Sequence, residues 1–178
     1  MKDNKDKAYR LWLGIKRRCN NGYYAKRKPT YTDCTMSDNF KDFPFFAAWC
    51  EKQVGWDQEG FQIDKDLLQQ EKKQYSEDVC VFVPNSINSL FITRNRVRKL
   101  PLGVTRQGKK FRADLALGGK KVKSKVVDTA ESAFYLYKDL KEAYAKILAE
   151  TYKDRIDLRV YQLLVNFEVP IDSLQKCM

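Results

Sequence analysis

The run from Gly103 to Leu148 leaves this chain the least freedom. "GVTR" reads as a short strand, "KKFRADLAL" as a longer one and "KKVKSKVV" as a third, with Gly118-Gly119 as the tight turn between the last two. Side chains alternate across a strand. Phe111, Ala113, Leu115 and Leu117 therefore take one face of the second strand, and Lys110, Arg112 and Asp114 the other. In the third, Lys121, Lys123 and Lys125 share a face opposite Val122 and Val126. A sheet with one apolar face must be covered. The next residues supply the cover: Asp128-Thr129-Ala130-Glu131 is a capping-box pattern. Ala130, Ala133, Phe134, Tyr137, Leu140, Tyr144, Ile147 and Leu148 follow at spacings of three and four. The expected unit is a three-stranded antiparallel sheet packed on one long helix, its cationic face turned outward.

The charge sits in the same place. From Thr93 to Val127 there are twelve Lys/Arg and one acid, Asp114, so this segment carries the whole net charge of +11 and the rest balances at 22 against 22. A patch of one sign repels itself, which implies an anionic partner. No apolar run approaches the roughly 20 residues of a membrane span. A basic helix with a large apolar face, the mark of a membrane-surface segment, is also missing. Nucleic acid is the expected partner, with an acidic protein as the weaker alternative. The expected contacts are Arg94, Arg96, Arg98, Arg106, Lys110, Arg112, Lys121, Lys123 and Lys125. Arg112 has the geometry to grip a guanine and Asp114 to accept from a cytosine amino group. Asp114 could equally pair with Arg112 or with a lysine across the strands.

Ahead of this unit, residues 8–20 read as a helix burying Tyr9, Trp12, Leu13 and Cys19. A loop then feeds a short strand near Tyr31–Thr35. "SDNFKDFPFFAAWCEKQ" reads as one helix, with Asp42 as N-cap, Pro44 in the first turn, and Phe43, Phe46 and Trp49 as core. Next, "FQIDKDLLQQEKKQYSEDVCVFVPNSIN" gives a short strand ending in acids, a polar loop, a hydrophobic strand, and a helix begun by Pro84. The expected organisation is a first domain over 1–92, a basic connector over 93–101, a sheet-and-helix domain over 102–152, and a short helix with an irregular tail over 153–178. Cysteines at 19, 34, 50, 80 and 177 form no C-x-x-C pair, and no histidine exists to complete a zinc set. They read as reduced core thiols. The charged start "MKDNKDKAYR" has no apolar signal core, so a cytoplasmic location is expected.

In the order "YRLWLGIKRRCNN", "DCTMSDNFKDFPFFAAWC", "IDKDLL", "YSEDVCVFVPNSINSLF", the first half resembles phage-type HNH-like endonucleases. "LGVTRQGKKFRADLALGGK" and "DTAESAFYLYKDLKEAYAK" resemble the AP2-like DNA-binding domain such homing-type proteins carry. This chain departs from that pattern in lacking a tryptophan on the second strand, and in having Lys125-Val126-Val127 where a glycine–phenylalanine pair is usual.

The resemblance implies an α+β protein with N-terminal helices, a ββα-metal-type hairpin and helix, and a C-terminal AP2-like domain. It implies a metal-dependent, site-specific DNA endonuclease or nickase. The alternative is an inactive DNA-binding regulator or interference factor on a decayed nuclease scaffold. By position, Asp64 and Asn88 match the ligands of a single Mg or Mn ion, both offering the hard oxygen such ions prefer. Lys65 falls where relatives place the general-base histidine. With a free pKa of about 10.4, lysine stays protonated and can only orient water or steady the phosphate. Asp66, or a metal-bound hydroxide, is left to take the proton.

Overall fold

Two caps split the aromatic stretch that reads as one helix. The computed structural model describes residues 2–20, 33–69, 73–92 and 99–175. Within them, the Ser37 hydroxyl accepts the Phe40 N–H at 3.2 Å and starts α2, Asp38–Lys41, whose numbering follows α1, Lys2–Cys19. Asp42 Oδ2 then accepts the Phe45 N–H at 3.2 Å and starts α3, Phe43–Glu51, with Pro44 in its first turn. Asp42 is extended, at φ −83° and ψ 116°, which helix interiors do not tolerate. Removing this cap with Asp42→Ala is expected to cost about 1 kcal/mol, read as a lower denaturant midpoint with an unchanged slope.

The chain divides into two compact units, Met1–Asn85 with Arg155–Val160, and Ser86–Asp154 with Tyr161–Met178. In the first, α1 starts six residues earlier than its apolar pattern predicts. Residues 4–7 are exposed and leave no periodic signal. Its core-facing residues are Ala8, Leu11, Trp12, Ile15 and Cys19, whereas Tyr9 is 46% exposed. Strand β1, Thr35–Met36, runs parallel to β3, Gln74–Tyr75. Between them in sequence comes β2, Phe61–Asp64, which pairs antiparallel with β4, Val81–Pro84, setting Ile63 opposite Phe82 and Asp64 opposite Val81. Phe40, Phe46 and Trp49 pack with ring centroids 4.8–6.0 Å apart, and Phe82 lies 5.3 Å from Trp56. Pro84 closes β4 rather than opening a helix; α4 follows as Asn85–Phe91.

The second unit is the sheet and its cover. Strands β5 (Val104–Gln107), β6 (Lys110–Leu117) and β7 (Lys120–Lys123) form one antiparallel sheet in the order β5-β6-β7. Gly118 and Gly119 both have positive φ, 56° and 80°, as a two-residue hairpin turn of this hand requires. The long helix is α5, Ala130–Tyr152. Its N-cap is Thr129, whose hydroxyl accepts the Ser132 N–H at 3.0 Å, one residue later than the expected Asp128. Val104 and Ala113 meet Ala133, Phe134 and Tyr137 in its core, with Phe111 and Leu115 packed against them. Further along, Ala145 and Ala149 are buried while Ile147 is 59% exposed. The tail is not irregular: after α6, Leu158–Val165, comes α7, Asp172–Gln175, and Val169 and Leu174 join this core. Among the described residues no helix is long and apolar enough to cross a membrane.

Candidate functional site

Register decides which cations share a face. Thr105 stands opposite Arg112, Gln107 opposite Lys110, Lys123 opposite Asp114 and Lys121 opposite Ala116. Residues directly opposite in an antiparallel pair point the same way. The face away from α5 therefore carries Lys110, Arg112, Lys121 and Lys123, with Asp114 among them. Arg112 holds Asp114 with both nitrogens, Nε to Oδ1 at 2.8 Å and Nη2 to Oδ2 at 3.3 Å. The Thr105 hydroxyl donates to Oδ2 at 3.0 Å. Of the two roles open to Asp114, pairing is the one this structure displays. Thr105 is the residue the sequence reading missed, although its position opposite Arg112 follows from counting back through the turn.

Three expected members of the face behave differently. Arg106 stands opposite Phe111, on the α5 side of the sheet, and its guanidinium carbon lies 5.4 Å from the Phe111 ring centre. It belongs to the other surface. Lys110 is on the expected face but pairs with Asp128 at 2.8 Å, an acid just beyond the basic segment. That contact raises the Lys110 pKa, the hydrogen bond coming first and the charge second.

Lys125 lies beyond the end of β7. There Ser124 replaces the ladder: its N–H donates to Ala113 O at 2.9 Å and its hydroxyl accepts the Ala113 N–H at 2.9 Å. Val127, not Val126, then exchanges both backbone bonds with Phe111, at 2.8 and 2.7 Å. One extra residue has been accommodated, which is a β-bulge. Strict alternation fails past it, and Val126 is 48% exposed instead of facing the core. Arg94, Arg96 and Arg98 lie outside the described residues.

In the first unit Asp64 closes β2, and its Oδ1 accepts two backbone N–H bonds, from Asp66 at 2.8 Å and from Leu67 at 2.7 Å. The carboxylate thus fixes the turn that follows the strand, a common use of aspartate. Burial raises its pKa above the usual carboxylate value, while those two N–H bonds oppose the rise. Oδ2 accepts no hydrogen bond among the described residues.

Lys65 is not at a solvent-facing strand end, where a group that handles an attacking water must stand. It is 4% exposed, ion-paired with Asp66, and its Nζ lies 5.7 Å from the Tyr75 ring centre. Arg18 Nη1 donates to the Tyr75 hydroxyl at 3.1 Å from the other side. Asp66 is therefore occupied by Lys65 rather than waiting as a spare base. Asn88 is half-buried on α4, in the second unit.

For a divalent cation the strand end offers the Asp64 Oδ2, an oxygen of the hard character such ions prefer. Among the described residues no three His, Cys, Asp or Glu side chains gather into a ligand set. No family model matches the chain, and neither does any curated protein or solved structure.

Proposed function

We propose that the protein binds double-stranded DNA through the outward face of its three-stranded sheet, as a phage-type relative of the HNH-like endonucleases that carry an AP2-like domain. The observation that supports this reading is a sheet face carrying Lys110, Arg112, Lys121 and Lys123 around a single acid, with α5 packed on the opposite face. Lys121 and Lys123 are exposed, which leaves their charges open to phosphate oxygens. Arg112, held in a fixed plane by Asp114, suits groove recognition once that bidentate pair opens onto a base edge. The biological role that follows is occupancy of a DNA site, as a regulator or interference factor.

The test is the salt dependence of DNA affinity. With about six phosphate contacts, the log–log slope against salt is about −5. Replacing Lys121 and Lys123 together with alanine should flatten it by about 1.8, since each lost phosphate contact removes about 0.9. An unchanged slope in that double variant puts the DNA surface elsewhere on the protein.

A second reading, a metal-dependent endonuclease or nickase, is favoured by one observation: Asp64 is part-buried at the strand end, and its Oδ2 has no protein partner among the described residues. In that reading Asp64 is a ligand of Mg or Mn. Plasmid nicking with each metal separates it from occupancy alone.

A further inference from the structure

Among the described cysteines, Cys19 and Cys34 are the two whose sulfurs lie against each other. Their Sγ atoms are 3.9 Å apart, and the residues are 15 positions apart in sequence. A disulfide needs about 2.05 Å between sulfurs, so a modest side-chain movement separates contact from bond. Both cysteines line one surface groove, whose rim carries Lys16, Arg17 and Lys41. Cys19 is half-buried and Cys34 is 1% exposed.

The charge around the pair is positive. The Cys19 S–H donates to Cys34, which lowers the Cys34 pKa, and Lys65 and Arg18 act in the same direction against burial and Asp66. The same hydrogen bond, together with burial, holds the Cys19 proton on well above the ordinary thiol value. Cys50 and Cys80 make the contrast. Cys34, Cys50 and Cys80 are all fully buried, but in the last two burial dominates and pushes the Cys50 thiol up to about 12 and Cys80 higher still. Thiolate, not thiol, is the reactive form, and a reactive sulfur beside a second one is the arrangement of a reversible peroxide-sensitive site.

We infer that Cys19 and Cys34 form a reversible disulfide when a small peroxide enters the groove between α1 and β1. The Cys34 thiolate attacks one oxygen of hydrogen peroxide. The O–O bond breaks, Cys34 becomes a sulfenic acid, and hydroxide leaves. The Cys19 sulfur then attacks the Cys34 sulfur as its proton is lost. The S–O bond breaks, and the departing hydroxide combines with that proton as water. The two thiols are oxidised, the peroxide is reduced to water, and a dithiol reductant reverses the change. This site is independent of DNA binding and of any metal.

The full chain is treated with stoichiometric hydrogen peroxide, alkylated and mapped by mass spectrometry. The expected product has lost two hydrogens, links the Cys19 and Cys34 peptides, and returns to free thiols with dithiothreitol. Cys50 and Cys80 remain alkylatable throughout. In Cys19→Ser, which alters only the half-buried partner, Cys34 should stop at the sulfenic acid and be trapped by the diketone dimedone. The inference is overturned if peroxide leaves Cys19 and Cys34 fully alkylatable, or if the bond that forms joins Cys50, Cys80 or Cys177. It also fails if Cys34 in the Cys19→Ser protein gives no dimedone adduct.

Discussion

Gly103→Ala is expected to cost the second unit about 3 kcal/mol or more. Val104 N–H donates to Pro101 O at 3.1 Å, closing a four-residue turn with Gly103 in its third place at φ +74°. That place in such a turn demands positive φ, which costs a residue with a Cβ roughly 1–2 kcal/mol. Space is the larger problem. A Cβ on Gly103 falls 2.0 Å from Tyr137 Cδ2 and 2.4 Å from two further ring atoms. Tyr137 is 6% exposed and packed between α5 and the sheet, so the ring cannot swing into water. Forcing a core side chain aside costs about 1–3 kcal/mol more. The loss should lower the melting temperature by about 12 °C or more in a domain of this size. Gly108→Ala is the control, since φ there is +62° but nothing lies within 4 Å of the added Cβ. It should lose only the backbone share. Equal losses in the two variants would mean that Tyr137 yields freely and this core is loosely packed.

The parts of the fold that could be read in advance are those governed by local, periodic rules. The three strands, the Gly118-Gly119 turn and the helix behind them follow from alternation, positive-φ glycines and a 3.6-residue repeat, and each is present. Asp42 as a cap followed from side-chain chemistry alone. What escaped is where a single residue changes the phase. The Ser124 bulge shifts pairing by one, which moves Lys125 off the strand and exposes Val126. Nothing in "KKVKSKVV" distinguishes a serine that faces the solvent from one that replaces a rung of the ladder.

Ser37 was likewise invisible as a second cap, because Asp42 already satisfied the pattern five residues on. The candidate site was harder still. A motif position says which residue stands at a strand end but not which way its side chain turns. "IDKD" leaves Lys65 free to face water or the interior, and the Tyr75 ring it meets there arrives through tertiary packing. Arg106 takes the face opposite to Arg112 because it pairs with Phe111, and a count of charge along the chain carries no face.

Asp64→Ala is expected to cost about 2–3 kcal/mol, and Asp64→Asn almost nothing near neutral pH. The alanine removes an oxygen that accepts two N–H bonds, from Asp66 and Leu67, and leaves both donors without their partner. Asparagine keeps an oxygen at that place and carries no charge to bury. The pH dependence has a definite sign. Burial raises the folded-state pKa of Asp64, so the stability it contributes is present below the unfolded carboxylate value of about 3.9 and is lost as pH rises through the raised value. The Asn variant should therefore equal or exceed the wild type at neutral pH and lose that advantage in acid.

The same residue separates the two functional readings. If Asp64 serves as a turn cap, Lys65→His gives no nicking of supercoiled plasmid with Mg or Mn. An imidazole in a place that is 4% exposed, against Tyr75 and Asp66, meets no water to deprotonate. That is the expected result. The opposite outcome is a Lys65→His protein that nicks roughly 10²–10⁴-fold faster than the parent, the usual contribution of a general base, and loses the gain with Asp64→Asn. Because Asp64→Asn leaves the turn intact, such a loss could come only from a missing metal ligand, and the endonuclease reading would replace occupancy.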